Sequence, residues 1–218
     1  ARPVPGSTHP FVSHSRAGYR RAPQQSLLNF CSVDLSAFYF DIRKDSLYCD
    51  SKDSKKRQST IILLNVILKS LLRWFAPILS FTTEEIYRLI MNDDKSIHLT
   101  KFLEFPKTFK NEDLNQKWLE LIKIRNVCNI SIEEKRASKE IGSSLEASLK
   151  INLDKRLNEI SKDVDFSELC ITSSAEVSYL ENSETKVQTT KAEGSKCQVC
   201  WKITKDACSR KTCPQPTE

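Results

Sequence analysis

Hydrophobic residues between Ser26 and Tyr48 recur at the spacing of an α-helix. The stripe consists of Leu27, Leu28, Phe30, Val33, Leu35, Phe38, Ile42 and Leu47. Because residues three and four positions apart share one face of a helix, the pattern predicts helical structure through about Tyr48, opening a helix pair.

A strongly apolar segment follows this first helical region. The charged stretch Asp50 to Arg57 predicts a turn, and Ser59 or Thr60 then predicts the start of a helix that runs through Trp74. Pro77 must stop or kink this helix, because proline lacks the backbone N–H that a helix needs. Apolar residues occupy all sides of the segment, so we expect it to lie centrally in the fold.

Two more helices are predicted on either side of a loop at residues 93–112. Thr82 and Glu85 form a capping-box pattern, in which each side chain satisfies the other residue's free backbone N–H group, and so predict a helix start. After the loop, a long helix is expected towards Glu140, with Gly142 as its end. Its apolar residues, at spacings of three and four, are Leu114, Trp118, Leu121, Ile124 and Cys128.

Beyond Gly142 the hydrophobic period changes from that of a helix to that of a strand. Leu149, Ile151 and Leu153 alternate with polar residues, which predicts a half-buried strand. Asp154 predicts the cap of a short helix to Ile160. Further strands are expected at Leu169 to Thr172, Val177 to Leu180 and Lys186 to Ala192.

These elements predict a mainly α protein built from successive parts. We expect an irregular leader at 1–25, a helical bundle at 26–145, a small α/β junction module at 146–193 and a metal-binding tail at 194–218. The leader is rich in Arg and free of acids, as transit peptides are, but its four prolines would break the amphipathic helix that such peptides need. An irregular leader is therefore favoured. The missing initiator Met predicts a piece of a longer protein.

The positive charge of the chain is concentrated at its ends. Of the formal net charge of +6, residues 1–25 contribute +4 and residues 194–218 contribute +3, leaving −1 for residues 26–193. This distribution favours an acidic partner for the ends of the chain. No run of about 18 uncharged apolar residues occurs, so we expect no membrane-spanning segment.

Four of the eight cysteines form a compact group near the end of the sequence. Cys197, Cys200, Cys208 and Cys213 follow the spacing C-x2-C-x7-C-x4-C, and the first pair has the spacing of a zinc knuckle. Four thiolates would leave no open position on Zn²⁺, so a structural ion is expected. The alternatives are a disulfide pair or a set of free thiols. A metal site is favoured over both, because the sequence shows no secretory signal and clustered cysteines in cytosolic chains are more often metal ligands. Basic residues surround the group, namely Lys196, Lys202, Lys205, Arg210 and Lys211.

Motifs of known catalytic sites are missing from the sequence. Four scattered glycines cannot form a phosphate-binding loop, and neither H-E-x-x-H nor G-x-S-x-G occurs, so we expect no catalytic residues. Exposed basic clusters at 55–57 and 135–139 are solvated helix faces or phosphate contacts. Trp74 and Trp118 are expected in the core, and core anchoring is also favoured over base stacking for Phe102, Phe105 and Phe109.

Four stretches of the sequence recur in the same order in one protein family. They are residues 28–48 (LNFCSVDLSAFYFDIRKDSLY), 71–87 (LLRWFAPILSFTTEEIY), 141–149 (IGSSLEASL) and 196–202 (KCQVCWK). Over roughly residues 26–208 the chain resembles the C-terminal part of bacterial-type isoleucine–tRNA ligases, which are class I aminoacyl-tRNA synthetases. The C-x-x-C-W motif separates this family from its valine and leucine relatives.

The resemblance implies a helical anticodon-binding domain, a junction module and a zinc-binding domain that grip isoleucine tRNA. The family's zinc ligands correspond to Cys197, Cys200 and Cys213, and by spacing alone to Cys208, because Pro216 stands where the family commonly has its last cysteine. Isoleucine activation with ATP and Mg²⁺, and editing, belong to earlier domains of the family. Neither H-x-G-H nor K-M-S-K-S occurs here, so we expect tRNA binding without charging.

We expect contacts to the tRNA backbone from Arg136 on the long helix and from Lys202 and Lys205 beside the cysteines. The protein is expected to be a cytoplasmic monomer. Two other classes stay open at this point. One is a free-standing helical RNA-binding protein with a zinc knuckle, and the other is a zinc-clipped structural protein that binds a protein partner.

Overall fold

The computed structural model describes residues 22–91, 95–179 and 185–206, together with residues 208, 210 and 213. Most of the expected leader lies outside these residues, but residues 22–25 belong to a helix, which corrects the predicted boundary. The chain divides into two compact units, residues 1–44 and residues 45–218, which are described separately below.

The described residues of the first unit are helical throughout. Helix α1 spans Ala22–Asn29, a π-helix spans Phe30–Phe40, and helix α2, Asp41–Cys49, continues into the second unit. Leu35 and Ile42 are buried. The helical stripe predicted through Tyr48 is thus confirmed, although the wider π-helical turn in its middle was not expected.

Helix α3 spans Lys55–Phe75 and begins earlier than the sequence pattern indicated. Ser54 caps it, since its Oγ accepts a hydrogen bond from the Arg57 backbone N–H at 3.4 Å. Placing the start at Ser59 or Thr60 was therefore wrong, because a serine cap can begin a helix inside a charged segment.

The apolar residues of α3 are not buried on all sides of the helix. Leu72 joins a core cluster that also contains Ala76, Tyr87 and Ile97, whereas Ile62 is 66% exposed. The expectation of a central helix was wrong. So was the expected burial of Trp74, which is 39% exposed; Trp118 is half-buried.

Helix α4 spans Ser80–Met91, and its hydrogen bonds begin at Leu79, whose carbonyl accepts from both the backbone N–H and the hydroxyl of Thr83. Thr82 and Glu85 both lie inside the helix, so the predicted capping box does not form its start. Two short 3₁₀ helices, Ile97–Leu99 and Lys107–Phe109, lie within the expected loop.

The long helix predicted after the loop is confirmed as α5, Glu112–Ala137, capped by Asn111. Its end differs from the prediction. Lys139 adopts a left-handed backbone (φ 60°) and donates to Arg136 O, while Glu140 N–H donates to Lys135 O. These two bonds are those of a Schellman motif, so Lys139 takes the position expected for Gly142.

A three-stranded sheet follows α5, with strand order β2-β1-β3. Strand β1, Ala147–Leu153, lies in the centre; it pairs in parallel with β2, Ser174–Tyr179, and antiparallel with β3, Lys186–Lys191. The inward residues of β1 are fully buried, as the alternation predicted. Helix α5 packs against β3. The sheet therefore forms the second core of this unit.

Two short helices connect β1 to β2. Helix α6, Lys155–Ser161, carries the predicted cap, because Asp154 Oδ1 accepts from Leu157 N–H at 2.7 Å. The strand expected at Leu169 to Thr172 does not form, because Leu169 ends helix α7, Phe166–Leu169, and the chain turns at Ile171, where φ is 56°. The strand expected to reach Leu180 is described as far as Tyr179.

Among the described residues, no helix combines the length and the apolar character that crossing a lipid bilayer requires.

Candidate metal centre

The four clustered cysteines lie in a small hairpin module at residues 194–213, here called the cysteine module. Strands β4, Ser195–Lys196, and β5, Ile203–Thr204, pair antiparallel and bracket the first cysteine pair. Gly194 enters the hairpin with φ 127°, a conformation that residues with a Cβ rarely adopt. The backbone of the hairpin thus sets where Cys197 and Cys200 stand.

The sulfur atoms of Cys197, Cys200, Cys208 and Cys213 all lie within 4.8 Å of one another. The Sγ atoms of Cys200 and Cys208 are 3.5 Å apart. A tetrahedral site with zinc–sulfur bonds of about 2.3 Å places its sulfur atoms about 3.8 Å apart. The donor set therefore fits one tetrahedral metal ion, and the four cysteines can hold it.

The backbone between the first two cysteines folds as a knuckle. Cys197 N–H donates to Lys202 O at 2.9 Å, and Trp201 N–H donates back to Cys197 O at 3.0 Å. Trp201 itself has a positive φ of 62°, and Lys196 Nζ lies 5.5 Å from the centre of its ring. The turn directs the two sulfur atoms towards the same point.

The knuckle also changes the acidity of its thiols. Burial would raise the pKa of Cys197, but hydrogen bonds from the backbone N–H groups of Cys200 and Val199 outweigh burial and lower the pKa to about 6. Burial raises the pKa of Cys200 to about 11, and burial also raises the pKa of Cys213. Cys197 is thus more acidic than Cys200 and Cys213, and it is available to a metal ion as a thiolate.

The cysteine module is anchored to the rest of its unit by polar contacts. Ile203 N–H donates to Ser173 Oγ at 2.6 Å, and Lys202 Nζ donates to Ser167 Oγ at 3.2 Å. These bonds hold the hairpin against the segment that joins α7 to β2. On another side, Cys49 Sγ donates to Val199 O at 3.9 Å.

The contact between Cys49 and the cysteine module was not predicted from the sequence. Cys31, Cys49, Cys128 and Cys170 are scattered along the sequence, yet Cys49 is buried in one cluster with the four cysteines of the module. It lies 150 residues before Val199, so no local spacing in the sequence could have brought it in. All eight cysteines lie in the described part of the chain, and none forms a disulfide.

The basic residues expected to contact RNA occupy different environments. Arg136 Nη1 lies 2.7 Å from Glu133 Oε1 at the end of α5. Lys202 is partly buried where it anchors the module, whereas Lys205 is exposed and pairs with Glu193 at 2.7 Å. The module thus groups Lys202 and Lys205 with the cysteines, while Arg136 belongs to the long helix. Lys211 lies outside the described residues.

The other expected basic clusters are partly engaged within the fold. In the first cluster, Lys56 Nζ lies 2.6 Å from Glu168 Oε2 and Arg57 donates to Asp50 O at 2.8 Å. In the second cluster, Lys135 pairs with Glu140 at 2.8 Å. The favoured core position of the loop aromatics was wrong, since Phe102, Phe105 and Phe109 are 65%, 45% and 71% exposed.

Comparison with known proteins finds a family model and several relatives that match most of this chain. Residues 21–151 match the family described as the anticodon-binding domain of tRNA ligase. An isoleucine–tRNA ligase of Pelagibacter ubique is 66% identical over 85% of this chain and 21% of its own length. Those of Agrobacterium fabrum and Rhodopseudomonas palustris are 40% and 39% identical over 84% and 82% of this chain.

The resemblance inferred from the four sequence stretches is thereby confirmed. The chain spans about a fifth of the length of these curated relatives, since it covers 21%, 20% and 19% of them.

Proposed function

The chain belongs to the family of anticodon-binding domains of tRNA ligases, and from this membership we propose that it binds the anticodon arm of isoleucine tRNA. The observation that carries the proposal is the family match over residues 21–151, joined to 66% identity with an isoleucine–tRNA ligase over most of the chain. RNA sequence is read mainly where bases are unpaired and splayed, as in an anticodon loop.

The proposed division of labour follows the predicted parts of the chain. Residues 26–145 form the anticodon-binding domain, residues 146–193 the junction module and residues 194–218 the metal-binding part. The whole enzyme is an isoleucine–tRNA ligase and a cytoplasmic monomer. Its charging reaction uses ATP and Mg²⁺, and it takes place in domains that correspond to the part of the relatives that this chain does not cover. The present residues contribute recognition of the tRNA.

The proposed metal is a single structural Zn²⁺ held by Cys197, Cys200, Cys208 and Cys213. Four thiolates suit zinc, and they leave no open position for a catalytic water. The distances among the four sulfur atoms, all within 4.8 Å, support this assignment. Since the module has two short strands and few apolar residues, metal binding would supply much of its folding free energy.

The proposed backbone contacts are Arg136, Lys202 and Lys205. Lys205 is the most informative of the three, because its side chain is 72% exposed and its change would not disturb the anchor that Lys202 makes to Ser167. A phosphate can replace Glu193 as the partner of the Lys205 ammonium group.

The test is a titration of the chain against isoleucine tRNA and valine tRNA at one fixed salt concentration, with zinc content measured on the same sample. We expect tighter binding to isoleucine tRNA and one zinc ion per chain. Equal affinity for the two tRNAs would contradict the anticodon assignment. An absence of affinity for both would favour a protein-binding role.

A second titration series over salt concentration tests the lysine contact. Lys205→Ala should weaken binding and flatten the plot of log affinity against log salt by about 0.7–0.9, the contribution of one phosphate contact. Lys123→Ala is the matched control, because Lys123 is 70% exposed and pairs with Glu120 at 3.2 Å on α5. An identical slope for the two variants would remove Lys205 from the interface.

A further inference from the structure

Arg210 joins the cysteine module to Asp50, the residue that follows helix α2. Its Nε lies 3.4 Å from Asp50 Oδ1, and the two side chains are only 20% and 18% exposed. Asp50 is itself held in place, because Ser46 Oγ donates to its Oδ2 at 2.8 Å and Arg57 Nη1 donates to its carbonyl at 2.8 Å. The Asp50 carboxylate therefore holds the guanidinium of Arg210, and Ser46 and Arg57 hold Asp50.

One nitrogen of this guanidinium has no acceptor. Arg210 Nη1 is buried, and no residue that the structure describes accepts a hydrogen bond from it. A buried N–H donor without a partner costs about 1–3 kcal/mol, more when it belongs to a charged group. The groups that act electrostatically on Arg210 are Asp50, Asp45, Cys200 and Cys49. The unpaired nitrogen thus belongs to a cation that lies beside the cysteine cluster.

The negative charge of the cysteine cluster with a metal ion bound would give the unpaired Arg210 Nη1 an acceptor. All four cysteines bind a divalent cation as thiolates and release any remaining protons to solvent, so the loaded cluster carries a net charge of −2. Cys200 and Cys213 are buried, and a buried charge is stable only when it is paired and hydrogen-bonded. A guanidinium is the side chain best suited to do both.

We propose that Arg210 is a positioning residue for the metal centre, which donates its Nη1 hydrogen to a thiolate of the loaded cluster while Asp50 holds it in place. This inference rests on the proposed metal site. Binding of a metal ion by the cysteines and attachment of the module to Asp50 are therefore coupled, because the Arg210 side chain takes part in both. Loss of either partner of Arg210 then weakens the other contact.

The experiment uses the 218-residue chain, made metal-free and titrated with Co²⁺ in competition with a chelator. Arg210→Met removes the charge and the donor at similar volume, Arg210→Lys keeps the charge without the fork, and Asp50→Asn removes the holding carboxylate. Lys205→Met is the matched control, because it removes an equal charge from an exposed ion pair of the same module. Helix content measured by circular dichroism verifies that each variant is folded.

We expect Arg210→Met to lower Co²⁺ affinity by about 10–100-fold, the usual effect of losing a hydrogen-bond partner of a metal ligand. Arg210→Lys and Asp50→Asn should lie between it and the wild type. The sulfur-to-cobalt charge-transfer band should also move to longer wavelength in Arg210→Met, since a thiolate without a hydrogen bond gives up electron density more easily. A purely structural arginine would leave that band in place.

Two results overturn the inference while leaving the proposed metal intact. One is equal Co²⁺ affinity in Arg210→Met and Lys205→Met, and the other is an unshifted charge-transfer band in Arg210→Met. Failure of the wild-type chain to bind Co²⁺ would instead overturn the metal site itself, and with it this inference.

Discussion

Ser131 of α5 and Thr189 of β3 share a hydrogen bond between their hydroxyl oxygens at 2.7 Å. Thr189 is 2% exposed, so this bond lies where the long helix packs on the sheet. It joins the helical part of the second unit to the α/β part without any charged group. A buried hydrogen-bonded pair of this kind contributes little net free energy to folding, but removing one partner leaves the other without a hydrogen bond.

Thr189→Val should destabilise the chain by about 1–2 kcal/mol, because the valine keeps the shape of threonine but leaves the Ser131 hydroxyl without its partner. Urea denaturation followed by circular dichroism measures the change. Thr190→Val is the control, since Thr190 is exposed on the opposite face of β3. Equal stabilities of the two variants would mean that the helix–sheet bond contributes nothing.

The carboxylate of Glu84 joins α4 to the 3₁₀ helix that follows it. Burial would raise the pKa of Glu84, but hydrogen bonds from Ser96, Ile97 and Arg88 outweigh burial and hold the pKa below its ordinary value. The bonds from Ser96 Oγ and Ile97 N–H are each 2.9 Å long.

A lowered pKa for a carboxyl group predicts a stability that depends on pH. The carboxylate of Glu84 stabilises the fold fully above the ordinary glutamate pKa of about 4.3, and this stabilisation is lost as the pH falls through the lower pKa of the folded state. Glu84→Gln should therefore lower the melting temperature at pH 7 and have a smaller effect below pH 4. Glu85→Gln, which removes the same charge from an exposed neighbour, should show no such trend.

The sequence patterns correctly predicted those elements that are stabilised by residues close together in the sequence. The strand at Ala147–Leu153 follows from its alternation, and the start of α6 follows from the short reach of Asp154 to Leu157 N–H. The four cysteines of the module lie within 17 residues of sequence, so their spacing alone indicated a shared site. In each case the interacting groups are near neighbours along the chain.

Tertiary contacts account for what the patterns missed. The apolar residues of α3 were expected to be buried on all sides, yet Ile61, Ile62 and Leu63 near its start are exposed. The role of Asp50 beside the cysteine module could not be predicted from the sequence, because a charged residue after a helix is typical of any solvent-exposed turn. Its ion pair with Arg210 depends on how distant segments fold together.

The end of α5 shows how a local rule can lead to the wrong residue. Gly142 was expected to end the helix, but Lys139 adopts the left-handed conformation and is supported by the Schellman hydrogen bonds. A non-glycine residue in that conformation costs about 1 kcal/mol. The motif forms at Lys139 because the two backbone bonds offset this cost.

Lys139→Gly should for the same reason be more stable than Lys139→Ala by about 1 kcal/mol, since both variants remove the charge and only glycine relieves the backbone. Chemical denaturation of the two variants checks the difference. Equal midpoints would indicate that position 139 is not strained in solution.

Gly194 should be the least replaceable glycine among those that the structure describes. Its φ of 127° is rare for residues with a side chain, and a Cβ built there would lie 2.1 Å from the backbone oxygen of Thr204. Gly194→Ala must therefore separate β4 from β5, at a cost of at least about 1–3 kcal/mol, and it should weaken Co²⁺ binding by the cysteines that this hairpin positions. The matched control is Gly142→Ala, whose Cβ would meet only the flexible side chain of Glu146 at 3.4 Å. If both alanine variants bind Co²⁺ as tightly as the wild type, the hairpin backbone does not set the geometry of the metal centre.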